Sequence, residues 1–330
     1  MLPRAARRRD VFRLGAAAVA SVALPSVFAQ GDAFPTKTIR LILPAAAGGT
    51  ADAVSRMLGD PLAKRLGQNV VIDNRTGAAG ILGTEIAMNA PPDGHTLLVG
   101  TAGAMAVNPS LYRKLPYDPV RSFEPVAILA YSPLLLVAHP SIPAKTIGEL
   151  VTYVKGKPGV AYASAGSGST PHLAGELFRL MTGADVMHVP YKGSAPGVTA
   201  VMAGEVGYMF TGISSVLGQV KAGKLRALSL GATRRSAALP DVPIASESGL
   251  PDFVTDFWYG LFAPAQTPRR IVAQINAALN DVLKDPEVRD KLVGQGSEAA
   301  GGTPEQLAAL LRKDMDRWAG VVKASNMKVD

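Results

Sequence analysis

The sequence predicts an α/β fold in two domains that share one cleft, and three observations carry that prediction. Apolar runs of strand length alternate with amphipathic helical stretches almost throughout, the pattern of mostly parallel sheets covered by helices. Two loops of small residues, about 115 positions apart, each follow such a run and precede a helix start. Two long apolar stretches, one near the middle and one later, are placed to carry the chain from one unit to the other and back.

The run Ile39–Leu43 reads as the first strand. The segment Pro44-Ala-Ala-Ala-Gly48-Gly49-Thr50-Ala-Asp52 follows it. A helix runs on from Asp52, with Val54, Leu58, Leu62 and Leu66 four apart and Gly67 as its stop. Val70–Ile72 and Thr96–Val99 read as further strands, and Leu134–Ala138 opens a second series. That series continues through Val160–Ala163, Met187–Val189, Val206–Phe210 and Ala227–Leu230. Thr146 and Glu149 have capping-box spacing. Thr170-Pro171, Thr267-Pro268 and Thr303-Pro304 each set a cap before a proline at the first helical position. The last two open helices with apolar stripes at Ile271, Ile275, Leu279 and Val282, and at Leu307, Leu311, Met315 and Trp318.

The crossings fall at residues 126–139 and 251–263. They assign 30–130 and 254–330 to a discontinuous domain 1, and 131–253 to domain 2. Two crossings of this kind are the layout of a two-domain periplasmic binding protein (type II-like), with its ligand cleft at the carboxyl ends of the strands.

Residues 1–29 read as an export signal, with Arg7-Arg8-Arg9-Asp10-Val11-Phe12-Arg13 before an uncharged stretch and Val27-Phe28-Ala29 before Gln30. The paired arginines favour the twin-arginine route over general secretion. Pro25 breaks the apolar part, which is too short for a membrane anchor. Cleavage near Ala29/Gln30 would place the mature protein in the periplasm. It would also remove five of 34 basic and one of 26 acidic residues, leaving 29 against 25. No basic cluster interleaved with aromatics remains, so no nucleic-acid partner is expected. The chain has no cysteine, which excludes disulfides, thiolate metal sites and a lipidated cysteine after the signal. His95, His139, His172 and His188 are dispersed without metal-ligand spacing, so neither a metal nor a cofactor is predicted. A monomer is expected.

Each loop reads as strand, small-residue turn and helix start. Backbone N–H groups and the positive end of a helix dipole then converge on a small anion. In the first loop, Ala47, Gly48 and Gly49 allow close main-chain approach and Thr50 offers a cap or a hydroxyl contact. Asp52 would repel a carboxylate directly, so its expected task is ordering the loop or a bridging water. The second loop, Ser164-Ala-Gly166-Ser-Gly168-Ser-Thr170-Pro171-His172, supplies Ser164, Gly166, Ser169, Thr170 and His172 as candidates. Tyr191-Lys192-Gly193 follows a strand and falls on the cleft edge, with Lys192 as a single charged partner. Thr101 occupies the same place after its strand.

A set of motifs adds to this reading. Phe34-Pro35, Gly48-Gly49 with Asp52, and Asp73-Asn74-Arg75 followed by Gly77 and Gly80 come first. Ala106-Val-Asn108-Pro-Ser-Leu-Tyr112, Leu115-Pro-Tyr-Asp118 and Ser164–Leu173 follow. Val189-Pro-Tyr191-Lys192-Gly193, Ala222-Gly-Lys224-Leu-Arg226-Ala-Leu228 and Trp258-Tyr-Gly260-Leu-Phe-Ala-Pro264 complete them. In this joint order, from Phe34 to Lys323, the chain resembles a Bug-type solute-binding receptor of the tripartite tricarboxylate transporter family. The resemblance implies a non-enzymatic clamp that closes on a mono- or dicarboxylate through backbone amides and ordered waters. It implies delivery of that ligand to integral-membrane permease subunits. It also makes Thr211 informative, because amino-acid-binding relatives offer a carboxylate to the ligand ammonium there. Thr211 in its place points to an acid without an amino group. Thr76-Gly77-Ala78-Ala79-Gly80 departs from the Pro-Gly-Ala-Gly-Gly of relatives. Two rivals stand beside this reading: the same fold presenting ligand to a sensor or scavenging it, and an exported hydrolase using Ser167 or Ser169 with His172. The second lacks a G-x-S-x-G elbow.

Overall fold

The structure, a computed structural model, describes residues 34–325, so the export signal lies outside the described residues. In chain order the elements are β1 (Ile39–Leu43), α1 (Thr50–Leu66), β2 (Val70–Asn74), α2 (Ile81–Met88), β3 (Thr96–Thr101), α3 (Asn108–Leu111) and β4 (Phe123–Ala138). Then come α4 (Ile147–Gly156), β5 (Val160–Ser164), α5 (Thr170–Thr182), β6 (Val186–Pro190), α6 (Ser194–Met202), β7 (Tyr208–Gly212), α7 (Leu217–Lys221) and β8 (Arg226–Leu230). The chain closes with β9 (Asp256–Pro264), α8 (Arg269–Lys284), α9 (Pro286–Gly294), β10 (Glu298–Gly301) and α10 (Pro304–Ser325).

The strands follow the order β2-β1-β3-β9-β4-β7-β5-β6, with β8 and β10 also paired to β4. β1 is parallel to β2 and β3, and β5 is parallel to β6 and β7. The centre is antiparallel. β4 and β9 run against each other from Phe123↔Pro264 to Pro133↔Asp256, and β9 also runs against β3. Beyond Pro133, β4 changes partners, with Leu134–Ala138 facing Gly212–Tyr208 of β7 and Leu135–Ala138 facing β8. The two apolar stretches read as crossings are therefore hydrogen-bonded to each other. The expected mostly parallel sheet is a mixed one, because a strand that returns along its predecessor must run antiparallel to it.

Packing follows the apolar stripes. Val54, Leu58 and Leu62 of α1 and Ile271, Ile275 and Leu279 of α8 share one buried cluster with Ile39, Leu41 and Leu43 of β1. Each such side chain contributes about 2 kcal/mol when fully buried. Leu135 and Val137 of β4 pack with Met209 of β7 and Val198 and Val201 of α6. Trp318 of α10 stacks on Phe257 of β9 at 5.2 Å.

The caps are partly as expected. Thr146 Oγ1 accepts from the Glu149 amide at 3.1 Å, but the Glu149 carboxylate reaches back to Lys145 N–H rather than to that of Thr146. Thr303 and Gln306 form a reciprocal pair at 3.3 and 2.8 Å. Thr170 is not a cap: Ser169 keeps the extended backbone a cap needs, φ −70° and ψ 158°, and α5 starts at Thr170. Thr267 is not one either. Pro268 holds the N-cap position of α8, and the Thr267 hydroxyl donates to Pro264 O at 2.7 Å.

Candidate functional site

A cavity of about 570 Å³ lies where the loops following β1, β3, β5, β6 and β7 meet, the carboxyl ends of the parallel strands. Its walls are Pro44–Ala46 and Gly49–Ala51, Thr76–Gly80, Thr101, Gly103 and Ala104, Ala165–Pro171, Tyr191–Ser194 and Gly212, with Tyr112, Leu134 and Tyr259. Lys192 is the one charged side chain in that lining, and no Asp or Glu is part of it. The described residues hold no group of three or more His, Cys, Asp or Glu that could bind a metal ion.

The first loop is tied down from beneath. Asp52 is only 5% exposed and does not line the cavity. Its carboxylate accepts from the Gly48 amide at 3.0 Å, Arg56 Nε at 3.0 Å and Asn74 Nδ2 at 3.1 Å. Burial pushes the Asp52 pKa up, but these hydrogen bonds and the Arg56 charge outweigh it and hold the group below its ordinary value. Gly48 gives its N–H to Asp52, and neither it nor Ala47 belongs to the lining. Gly49 does. It is the N-cap of α1 and has no side chain to cap with, so the Thr50 and Ala51 amides have no acceptor among the described residues. The Thr50 hydroxyl accepts from Ser214 Oγ at 2.9 Å, beyond the end of β7.

The second loop is braced internally. Ser169 Oγ donates to Gly166 O at 2.6 Å and accepts from the His172 amide at 3.5 Å. The Gly166 amide donates to Ser164 Oγ at 3.1 Å and the Gly168 amide to His172 Nδ1 at 3.0 Å. Gly166 and Gly168 sit at φ +125° and +78°, a region other residues enter only with strain. The amides of Ser167 and Thr170 have no acceptor among the described residues. Gly166, Ser169 and Thr170 line the cavity, whereas Ser164 and His172 stand behind the loop. Ser164 is fully buried, with its hydroxyl 2.6 Å from His188 Nε2. Burial pushes the His172 and His188 imidazoles down to about 4, so His172 offers a neutral ring rather than a cation.

Of the remaining candidates, Thr101, Tyr191, Lys192 and Gly193 line the cavity. A Cβ on Gly193 would come within 3.1 Å of Ala46 Cβ, so the first loop and the Tyr191-Lys192-Gly193 segment after β6 meet there. Thr211 does not line it. Alternate side chains on a strand face opposite sides, and Gly212 takes the cavity side while Thr211 is buried with its hydroxyl unpaired.

Sequence reasoning passed over Thr76–Gly80, Tyr112, Leu134, Gly212 and Tyr259 as lining residues. Only the first had a signal, the departure from the relatives' glycine pattern. Ala78 and Ala79 sit at φ +44° and +51°, and Asn108 Nδ2 holds the Ala79 carbonyl at 3.1 Å. A left-handed alanine costs about 1–2 kcal/mol, partly offset in glycine by its greater chain entropy. Ala79→Gly is therefore expected to raise the melting temperature by about 2 °C. A fall in thermal unfolding measurements would show that the methyl packs usefully.

Comparison with known proteins gives this geometry its setting. Residues 54–327 match the model of the tripartite tricarboxylate transporter family receptor. BugT of Bordetella pertussis (strain Tohama I) is 35% identical over 314 residues, 94% of this chain and 95% of that protein. A structure of an R. palustris protein with adipate superposes with a TM-score of 0.86 at 33% identity, covering 89% of this chain and 99% of the other. MatC of Rhodopseudomonas palustris with bound malate gives 0.82 at 37%, covering 88% and 100%. The family is one of transporter receptors, and the hydrolase reading falls. The Ser169 hydroxyl donates to Gly166 O and caps α5, while His172 stands outside the cavity lining with its Nδ1 taken by the Gly168 amide. Fold, loops and matched length agree that the chain belongs to the tripartite tricarboxylate transporter family receptors, as a Bug-type periplasmic solute-binding protein and not an enzyme.

Proposed function

We propose that this receptor, exported and freed of residues 1–29, captures a small mono- or dicarboxylate without an amino group. It then hands that acid, as a monomer, to the integral-membrane permease subunits of a tripartite tricarboxylate transporter. One observation carries the ligand class: the cavity is walled by two helix starts and Lys192, with no acidic side chain in the lining. Unpaired first-turn amides favour a carboxylate. An ammonium would be left without a counter-charge, at a cost of several kcal/mol. The relatives carrying adipate and malate support the same class. Residues 30–130 with 254–330, and 131–253, serve as the two closing bodies, with β4 and β9 as the hinge ribbon between them.

The test is thermal unfolding of refolded, ligand-stripped protein with adipate, malate, aspartate, glutamate and a panel of sugars. An acid at 100 times its dissociation constant adds about 2.7 kcal/mol of stability and shifts the transition by several degrees. Aspartate and glutamate are expected to leave it unmoved. Shifts confined to amino acids or sugars would overturn the ligand class.

A further inference from the structure

Behind the second loop lies a buried polar cluster that forms no part of the cavity wall. His172 occupies the first turn of α5 and is 7% exposed. Its Nδ1 accepts the Gly168 amide at 3.0 Å, which requires that nitrogen to be unprotonated and leaves the proton on Nε2. Nε2 stands 4.0 Å from Glu176 Oε1. Glu176 is itself held by the Tyr162 hydroxyl at 3.0 Å and Arg179 Nε at 2.9 Å. The His172 ring stacks on His188 with centroids 3.8 Å apart and planes within 10°, and Ser164 holds His188 at 2.6 Å. The hydrogen bond at Nδ1 and the stack on His188 together hold the imidazole, and its one acceptor nitrogen meets the amide of the residue at φ +78°.

We propose that His172 is a positioning residue. By accepting the Gly168 amide it turns the Ser167 and Thr170 amides towards the cavity, and so sets carboxylate affinity without touching the ligand. This rests on the carboxylate reading above. The geometry separates two roles of the ring, the stack on His188 and the acceptor at Nδ1. His172→Asn places Oδ1 where Nδ1 stands and keeps the acceptor. His172→Phe keeps the stack and removes it.

The experiment measures adipate and malate affinity by calorimetry for wild type and both variants, with amide hydrogen exchange at Gly168 followed by NMR in the ligand-free protein. His172→Phe is expected to weaken binding at least about tenfold and to deprotect the Gly168 amide. His172→Asn should stay within about threefold of wild type, with that amide still protected. Undiminished affinity in His172→Phe, or a Gly168 amide that stays protected there, overturns the proposal. Equal loss in both variants, tracking their melting temperatures, overturns it too by reducing His172 to packing. If wild type binds neither acid, the carboxylate reading is what fails, and the Gly168 exchange alone decides the positioning role.

Discussion

Gly212→Ala is expected to weaken carboxylate binding by about 10- to 100-fold while leaving the fold intact. Gly212 ends β7 at φ −66°, a conformation alanine adopts without strain. The obstacle is steric. A Cβ there would stand 1.8 Å from Thr50 Oγ1 and 2.8 Å from Thr50 Cβ, distances that demand a shift of one segment or the other. Thr50 opens α1 and also takes the Ser214 hydroxyl, so the added methyl acts as a wedge between the first cradle and the end of β7. Overpacking of this kind costs about 1–3 kcal/mol, which is the tenfold to hundredfold range in affinity. Thr50→Gly removes both clashing atoms, so the double variant should recover most of the loss. Calorimetric titration of the four proteins of that cycle checks the argument. Binding within threefold of wild type in Gly212→Ala would show that this close approach plays no part in holding the ligand.

Asp52→Ala should cost about 2–3 kcal/mol of stability and loosen the first loop. The substitution leaves the Gly48 amide, Arg56 and Asn74 without their shared acceptor, and an unpaired buried donor costs about 1–3 kcal/mol. Arg56 contributes little of this, because its side chain is 54% exposed and screened by solvent. Affinity should fall with stability, since the Thr50 and Ala51 amides lose the support that aims them. Asp52→Asn separates shape from charge. Hydrogen bonds and the Arg56 charge hold the folded-state pKa of Asp52 below its ordinary value despite burial. The charged group therefore contributes its full stability above the ordinary carboxylate range, near pH 4. That contribution drains away as pH falls through the folded-state value. Denaturant unfolding of wild type and Asp52→Asn should show a gap at pH 7 that narrows below about pH 4. A gap that is constant with pH would assign the effect to geometry rather than to ionisation.

Much of this protein is determined by the sequence read locally. Ile39–Leu43 is recognisable as a strand because a strand largely buried on both faces must be mostly apolar, and only Arg40, partly exposed and paired with Asp73, departs from that. The stripe through Val54, Leu58 and Leu62 is legible for the matching reason in helices. Gly67 has the left-handed conformation, φ 71°, that its place after the stripe foretells. The two small-residue loops could be found because a tight strand-to-helix turn restricts residue type at adjacent positions. What the tertiary structure decided is every feature that joins distant positions. The insertion of β9 between β3 and β4 depends on non-local pairing, which leaves no period in the sequence. Ser164 and His172 turn away from the cavity because Gly166, Gly168 and His188 claim their polar atoms. Gly212 faces Thr50 rather than solvent only because α1 and β7 are brought together. Local chemistry specifies which turns can present amides. Only the packing of residues more than a hundred positions apart settles which amides remain unpaired and what they face.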